Sequence, residues 1–417
     1  MKRFQYYGLW RYRLATVALL PAVLFYTVYR ASKDGGLIYL SQRLGFKLPA
    51  TEAPIWIHCA SVGEVNTAAS VIEKFSQNGS GTPVLVSTTT PTGRAVFLNK
   101  QLPNTLHLYL PLDYRPIIKK VLVSIRPKTL LIMETELWPE LLDCCNKASI
   151  PVILFNARLT DRTLGTFGWL LKTYARCLQS LRAVLTKSEL DRERFLQLGM
   201  SPERAEVVGS LKFASHHTSL PMPIPDINRT YWLAASTHDD EEFRICQAWL
   251  QAGRDELLLI APRHPERRAT IVRQLKALTP HIQLRSQNKQ LQAETRIYIA
   301  DTLGEMPGFI AGARVVFMGG SLITRGGHNL IEAAQLGAAV ITGPHMKNFI
   351  GECSVLKNNH AVLQVKNENE LIRAVCELLD DDAKRHKLSR NALRVCEEKS
   401  RISDIYYEKL LALSKSD

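Results

Sequence analysis

The chain contains no CxxC pair and no GxxxxGK[ST], GxGxxG, GxSxG or HExxH segment. A P-loop nucleotidase, a simple dinucleotide-binding fold, a nucleophile-elbow hydrolase and a zincin therefore lack their usual signatures. Its eight cysteines, at 59, 144, 145, 177, 246, 353, 376 and 396, are scattered, several of them in apolar runs. They read as reduced, core-filling thiols of a protein folded in the cytosol. Long apolar stretches are equally scarce. Arg13 and Arg30 bracket one, Leu14 to Tyr29, with Pro21 in its middle. As a helix it reaches roughly 24 Å, short of the ~30 Å hydrocarbon core. No small-x-small site follows it, so a cleaved signal peptide is not indicated. Trp10, Tyr12, Tyr26 and Tyr29 mark its rims, and 1–35 reads as a membrane anchor that either spans thinly or lies in the interface. Basic residues flank it on both sides, which leaves its orientation open.

What the chain has in excess is positive charge: 53 Lys and Arg against 39 Asp and Glu, a net +14. That favours an anionic partner, whether nucleic acid, acidic lipid or a phosphorylated substrate, over and above an ordinary solvated basic surface. With 46% hydrophobic and 22% charged residues the composition is globular, and 417 residues suit two domains.

After residue 50, short β-branched runs alternate with helical patterns. The runs are 55–59, 84–88, 106–110, 129–133, 151–155, 183–186 and 206–208, then 231–235, 256–261, 282–284, 297–300, 314–318, 338–342 and 361–364. Continuous rather than alternating hydrophobicity predicts strands covered on both faces, as in a parallel sheet. Two such series predict two doubly wound α/β domains, 36–214 and 230–417. Between them the prolines at 221, 223 and 225 mark 215–229 as a linker. The basic helical tail, 380–414, is assigned to the second domain, with one helix a candidate to cross back. Two open sheets expect ligands at the carboxyl ends of their strands.

Polar residues recur at those ends. The first strand runs into Ala60-Ser61-Val62-Gly63-Glu64, which is either a helix-start carboxylate or a general base for a hydroxyl. The fourth runs into Glu134-Thr-Glu136-Leu-Trp-Pro139. Arg158 follows the fifth and Lys212 the seventh, each a cation able to steady a leaving phosphate. In the second domain Ser236-Thr237-His238 precedes an acidic helix start, where the hydroxyls suit an N-cap. Pro262-Arg263-His264 follows a buried strand, and Arg263 suits a phosphate or carboxylate. The most specific segment is Gly319-Gly320-Ser321 through Gly326-Gly327-His328-Asn329-Leu330-Ile331-Glu332. Its glycines allow backbone amides to close on an anion at a helix start, Asn329 reads as an N-cap, and Glu332 suits the hydroxyls of a ribose.

Taken together, Ala-Ser-Val-Gly-Glu64, Glu134-Thr-Glu-Leu-Trp-Pro, Asn-Ala-Arg158-Leu, Leu-Lys212-Phe, Ser-Thr-His238, Pro-Arg-His264-Pro-Glu-Arg, Asp301-Thr-Leu-Gly-Glu305, Gly-Gly-His-Asn329 and Gly-Pro-His345 resemble, in this order, the 3-deoxy-D-manno-octulosonic acid (Kdo) transferases of lipopolysaccharide assembly. The resemblance covers nearly the whole chain. It implies a GT-B glycosyltransferase at the cytoplasmic face of the bacterial inner membrane, moving Kdo from CMP-Kdo to a lipid A precursor, with inversion and without a metal, cofactor or nucleic acid. It implies Glu64 as base, with Glu134 and Lys212 supporting the transition state. It further implies Pro262, Arg263, Gly304, Glu305, Met306, Asn329, Leu330, Ile331 and Glu332 around CMP. Ser61, Gly63, Arg158, Ser236, Thr237, His238, His264 and Ser321 are additional candidates. Leu330, Asp239-Asp240, Lys347 and the stretch Met306–Phe309 depart from the family pattern. Two other readings are a GT-B enzyme of another kind, such as a UDP-sugar transferase or epimerase, and a non-enzymatic basic membrane-surface protein.

Overall fold

The computed structural model describes residues 9–78, 81–214, 226–287 and 290–415. They form two compact units, the first from Met1–Ala214 with Arg401–Asp417, the second from Ser215–Ser400. The linker read at 215–229 lies outside the described residues as far as 225.

The first unit carries β1 (Ile55–His58), β2 (Val84–Thr88), β3 (Thr105–Tyr109), β4 (Thr129–Met133), β5 (Val152–Ala157), β6 (Ala183–Thr186) and β7 (Ala205–Val207). All pair in parallel in the order β3-β2-β1-β4-β5-β6-β7. The reason is visible residue by residue: Trp56, Ile57, Leu85, Val86, Leu130–Met133 and Ile153–Phe155 are fully buried, so both faces of the sheet need helices over them. The second unit repeats the design with β8 (Tyr231–Thr237), β9 (Leu257–Pro262), β10 (Ile282–Leu284), β11 (Ile297–Ile299), β12 (Val316–Met318), β13 (Val340–Thr342) and β14 (Leu363–Gln364). Its order is β10-β11-β9-β8-β12-β13-β14, again parallel. Each sheet has one topological switch point, between β1 and β4 in the first and between β8 and β12 in the second. Ligands of open α/β sheets collect at such points.

The tail departs from the domain assignment 230–417. Helices Glu368–Asp380 and Asp382–Glu398 stay with the second unit, but helix Ile402–Ser414 completes the first. Tyr407 meets Phe75 edge-on at 4.8 Å, Lys74 pairs with Asp404 at 2.6 Å, and Lys409 pairs with Glu206 at 2.7 Å. Burial of Tyr406 and Leu410, at about 1.5–3 kcal/mol for a large apolar side chain, outweighs these half-exposed ion pairs.

At the other terminus Trp10–Arg30 is helical, a wider π-type turn follows at Ala31–Gly35, and Gly36–Arg43 resumes the helix. By length and composition Trp10–Arg43 suffices to cross a membrane. Its two ends, however, bond to the same stretch of the first unit. The Tyr12 hydroxyl donates to Asp113 at 2.7 Å and Tyr114 donates to the Thr16 carbonyl at 2.6 Å. Arg43 donates to the Leu110 carbonyl at 2.7 Å, and the Gln42 side chain accepts the Tyr109 amide at 2.9 Å. A straight helix from Tyr12 to Arg43 is roughly 47 Å long, whereas residues 109–114 reach at most about 18 Å. The segment therefore bends, and Gly36, at φ 66° and ψ −176°, is where the helical path breaks. Leu14, Val17, Leu19, Phe25, Tyr26, Val28, Tyr29 and Leu37 are left exposed.

Candidate functional site

At the switch point of the first sheet, β1 and β4 deliver Glu64 and Glu134. Glu64 lies in the first turn of helix Val62–Asn78. Its Oε2 accepts the Ala60 amide at 2.9 Å, the Ser61 hydroxyl donates to its Oε1 at 3.1 Å, and Ser61 Oγ accepts the Glu64 amide at 3.3 Å. This reciprocal cap explains Ser61. Gly63 is exposed, and a Cβ there would meet nothing nearer than 3.9 Å, so its small size serves no packing need within the unit. Burial, and then the facing Glu134 carboxylate, push the Glu64 carboxyl up to about 8, against its hydrogen bonds to Ala60 and Ser61.

Glu134 sits at φ 56°, a left-handed backbone that costs a non-glycine residue roughly 1–3 kcal/mol. Its amide is secured to the Phe155 carbonyl at 3.1 Å. Asn156 and Ser236, just past the ends of the apolar runs in β5 and β8, share this conformation at φ 47° and 54°. All three lie at the carboxyl ends of their strands. Behind Glu134, the buried His58 ring reaches Ser87 Oγ at 2.9 Å through Nδ1 and comes within 4.0 Å of Glu136 through Nε2. Burial works against ionisation of Glu136, but His58 and the Trp138 indole, which donates at 3.0 Å, hold its carboxyl below the ordinary value. Neither His58 nor the role of Glu136 was apparent from sequence. Both arise from the β1–β2 and β1–β4 pairings, which local spacing does not encode.

Lys212 lies in the short turn Leu211–Phe213. Asn156 Oδ1 accepts the Leu211 amide at 3.0 Å, and the Tyr406 hydroxyl donates to the Gly209 carbonyl at 2.8 Å. The C-terminal helix therefore fixes the lysine's turn. Arg158, half-buried at the end of β5, has no side-chain hydrogen bond or ion pair among the described residues.

In the second unit the first part of the glycine-rich segment 319–332, expected to close its amides on an anion, is filled from within the chain. The fully buried Glu241 already occupies it: Oε2 accepts the amides of Gly320 at 2.7 Å and His238 at 3.1 Å, and Oε1 accepts that of Leu322 at 3.1 Å. A carboxylate from this chain holds the loop in place of a ligand. Thr237 and Ser321 are likewise structural. Thr237 is buried and donates to Glu242 at 3.1 Å rather than capping the helix. Ser321, also buried, donates to the Met318 carbonyl and accepts the Gly343 amide at 2.8 Å.

The residues left to face a ligand are fewer. Arg263 and Arg325 are exposed, and neither guanidinium has a hydrogen bond or ion pair among the described residues. His264 is half-exposed, 3.2 Å from Glu266. His238 meets His328, which the sequence analysis did not assign, at 2.8 Å between the Nε2 atoms. Asn329 caps helix Leu330–Gln335 by accepting the Ile331 amide at 3.3 Å. Leu330 and Ile331 are fully buried, so their side chains belong to the core and only their backbone remains available. Glu332 has no side-chain partner among the described residues, and burial pushes its carboxyl up, as for an acceptor awaiting hydroxyl donors. Pro262 ends β9 buried, Gly304 is exposed at φ 86°, and Met306 opens helix Met306–Gly312. Glu305 is engaged: Arg285 pairs with it at 2.7 Å and holds its carboxyl low.

Comparison with known proteins bears on this geometry. The family model described as 3-deoxy-D-manno-octulosonic-acid transferase (kdotransferase) matches residues 39–215. A 3-deoxy-D-manno-octulosonic acid transferase of Bordetella pertussis is 32% identical over 410 residues, covering 91% of this chain and 94% of the relative. One from Haemophilus influenzae is 31% identical over 373 residues, covering 86% and 87%. A solved glycosyltransferase from Rickettsia africae shares the fold, with a TM-score of 0.63 at 11% identity over 87% of this chain and 98% of that one.

Proposed function

The chain belongs to the Kdo transferase family and is a glycosyltransferase of GT-B fold, and on that premise we propose that it moves Kdo from CMP-Kdo to a hydroxyl of a lipid A precursor, with inversion. The observation that carries this reading is the placement of Glu64, capped by Ala60 and Ser61 at the switch point of the first sheet beside Glu134, where burial pushes its carboxyl up. A carboxyl pushed up to about 8 is a proton acceptor matched to the pH of the cell interior, whereas an ordinary carboxylate is too weak a base for a sugar alcohol. Glu64 takes the proton as the hydroxyl attacks the anomeric carbon. Glu134, the strained neighbour, supports the charge that develops there. Lys212, on its clamped turn, steadies the departing phosphate of CMP.

The second unit carries the donor. Glu332 suits the two ribose hydroxyls, Asn329 and the backbone at 304–306 and 330–331 suit the cytidine, and Arg263 suits the phosphate. No residue assigned to the transfer calls for a metal.

The acceptor is a lipid, and the N-terminal segment fits one. Tied at both ends to residues 109–114, the helix lies along the unit and turns its exposed Leu, Val, Phe and Tyr side chains outward. An exposed apolar face of this kind suits contact with the cytoplasmic leaflet, where the +14 charge favours anionic headgroups. Purified protein incubated with lipid A precursor and either CMP-Kdo or UDP-sugars tests the assignment. Mass spectrometry should find a glycolipid heavier by Kdo with CMP-Kdo alone. Product from a UDP-sugar, or none from CMP-Kdo, refutes it.

A further inference from the structure

The loops at the β8–β12 switch point carry two imidazoles that the donor reading does not use. His238 and His328 stack at 14°, with centroids 5.0 Å apart and their Nε2 atoms at 2.8 Å. Two ring nitrogens at that distance share one proton, so one donates, the other accepts, and the pair is neutral. It is seated on Gly320. At φ 66° a side chain there would be strained, and a Cβ would meet His328 Cδ2 at 3.1 Å and His238 Cδ2 at 3.3 Å. Gly320 in turn is fixed by Glu241.

The charged groups facing the pair include Arg263 from the end of β9, Arg267 beyond it and Arg325 from the glycine-rich loop itself, with the His264 ring beside them. The nearby carboxylates have other partners, Glu266 lying 3.2 Å from His264. Glu241 serves backbone amides, while Asp239 and Glu242 pair with Arg267 at 2.9 and 3.1 Å. Burial, then the facing His238 ring and Arg263, press His328 down to about 4, and burial with Arg325 lowers His238 as well. The free protein therefore holds an uncharged imidazole pair beside two unpaired guanidiniums. An oxyanion reverses the local field and makes protonation favourable.

We propose that His238 and His328 form a proton-accepting anchor for the donor's oxyanion, taking one proton from solvent as it binds so that both Nε2–H groups donate to it. Two oxyanions of an activated ulosonic acid share this chemistry, the phosphodiester and the carboxylate on the anomeric carbon. The proposal rests on the donor occupying the second unit.

Titration calorimetry in two buffers of different ionisation enthalpy counts the protons. The probes for the full-length protein are the methyl ester of CMP, a phosphodiester that does not itself titrate, then free Kdo and cytidine. Uptake of about one proton is expected at pH 8 with the ester if phosphate is the anion held, or with Kdo if it is the carboxylate, and none with cytidine. That ligand's affinity should fall as pH rises in the wild type. In His328→Gln it should be about 10- to 100-fold weaker and lose the pH dependence, with the melting temperature unchanged. His238→Asn should behave alike, raising KM for CMP-Kdo more than it lowers kcat. Binding of the ester or Kdo without proton uptake, or variants that keep the wild-type pH profile, overturn the anchor and leave the donor assignment standing. Failure of the wild type to bind any of the probes removes both.

Discussion

Glu241 accepts the amide of Gly320 at 2.7 Å across 79 residues of sequence, and through that bond one buried carboxylate shapes the loop that separates β12 from its helix. An amide side chain at 241 would turn an N–H group toward amides that need an acceptor. Glu241→Gln should therefore lose about 1–3 kcal/mol of stability, read as a lower melting temperature. It should also raise KM for CMP-Kdo, because the seat of the histidine pair shifts. A variant with unaltered melting and KM would show that the loop holds its shape unaided.

Glu64→Gln should reduce kcat by about 10²–10⁴-fold while leaving the affinity for CMP-Kdo within a factor of two or so. In the wild type, kcat should climb with pH through about 8, since only the ionised carboxylate accepts a proton.

The stability effect of Glu64 follows from its raised value. A carboxyl carried from 4.5 to about 8 by folding favours the native state at low pH, and that contribution is lost as pH rises through 8. The melting temperature of Glu64→Gln should thus gain on the wild type between pH 5 and 9. Parallel melting curves across that range would refute the assignment of a buried, proton-holding Glu64.

Replacing Phe25 and Tyr29 by Asp should release the protein from vesicles containing anionic lipid in a flotation assay. Transfer to a detergent-dispersed acceptor should remain. If the doubly substituted protein still floats, the exposed face of the N-terminal helix is not what holds it to lipid.

Tyr406→Phe removes one buried hydrogen bond, to Gly209, at about 0.5–1.5 kcal/mol. Because the same bond steadies the turn of Lys212, kcat should drop several-fold, more than such a small change in stability explains. Equal kcat values would separate the helix from the lysine.

Much of this was legible in the residues. Continuous apolar runs such as Thr129–Met133 and Ala183–Thr186 match strands to the residue, because parallel strands buried on both faces leave no other home for them. Candidate residues soon after such runs, Glu64, Glu134, Arg263 and His238, stand at the carboxyl ends of the two sheets. What escaped is whatever depends on partners remote in sequence. Glu241 reads locally as an acid complementing a helix dipole, and only the fold brings Gly320 to it. Ser321 and Leu330 look like ligand contacts by neighbourhood, yet their side chains point into the core. His328 is hidden in a run of glycines until His238 arrives from 90 residues upstream.

The helix Ile402–Ser414 gives the first unit an unusual history. The second unit, Ser215–Ser400, is synthesised between the body of the first and this helix. Until the helix follows, the surfaces around Phe75 and Phe155, which Tyr407 and Tyr406 eventually cover, stay open to water and to other nascent chains. The turn of Lys212 is thus clamped only once this helix has been made. A chain stopped after residue 400 would leave these surfaces uncovered, a target for proteases and chaperones.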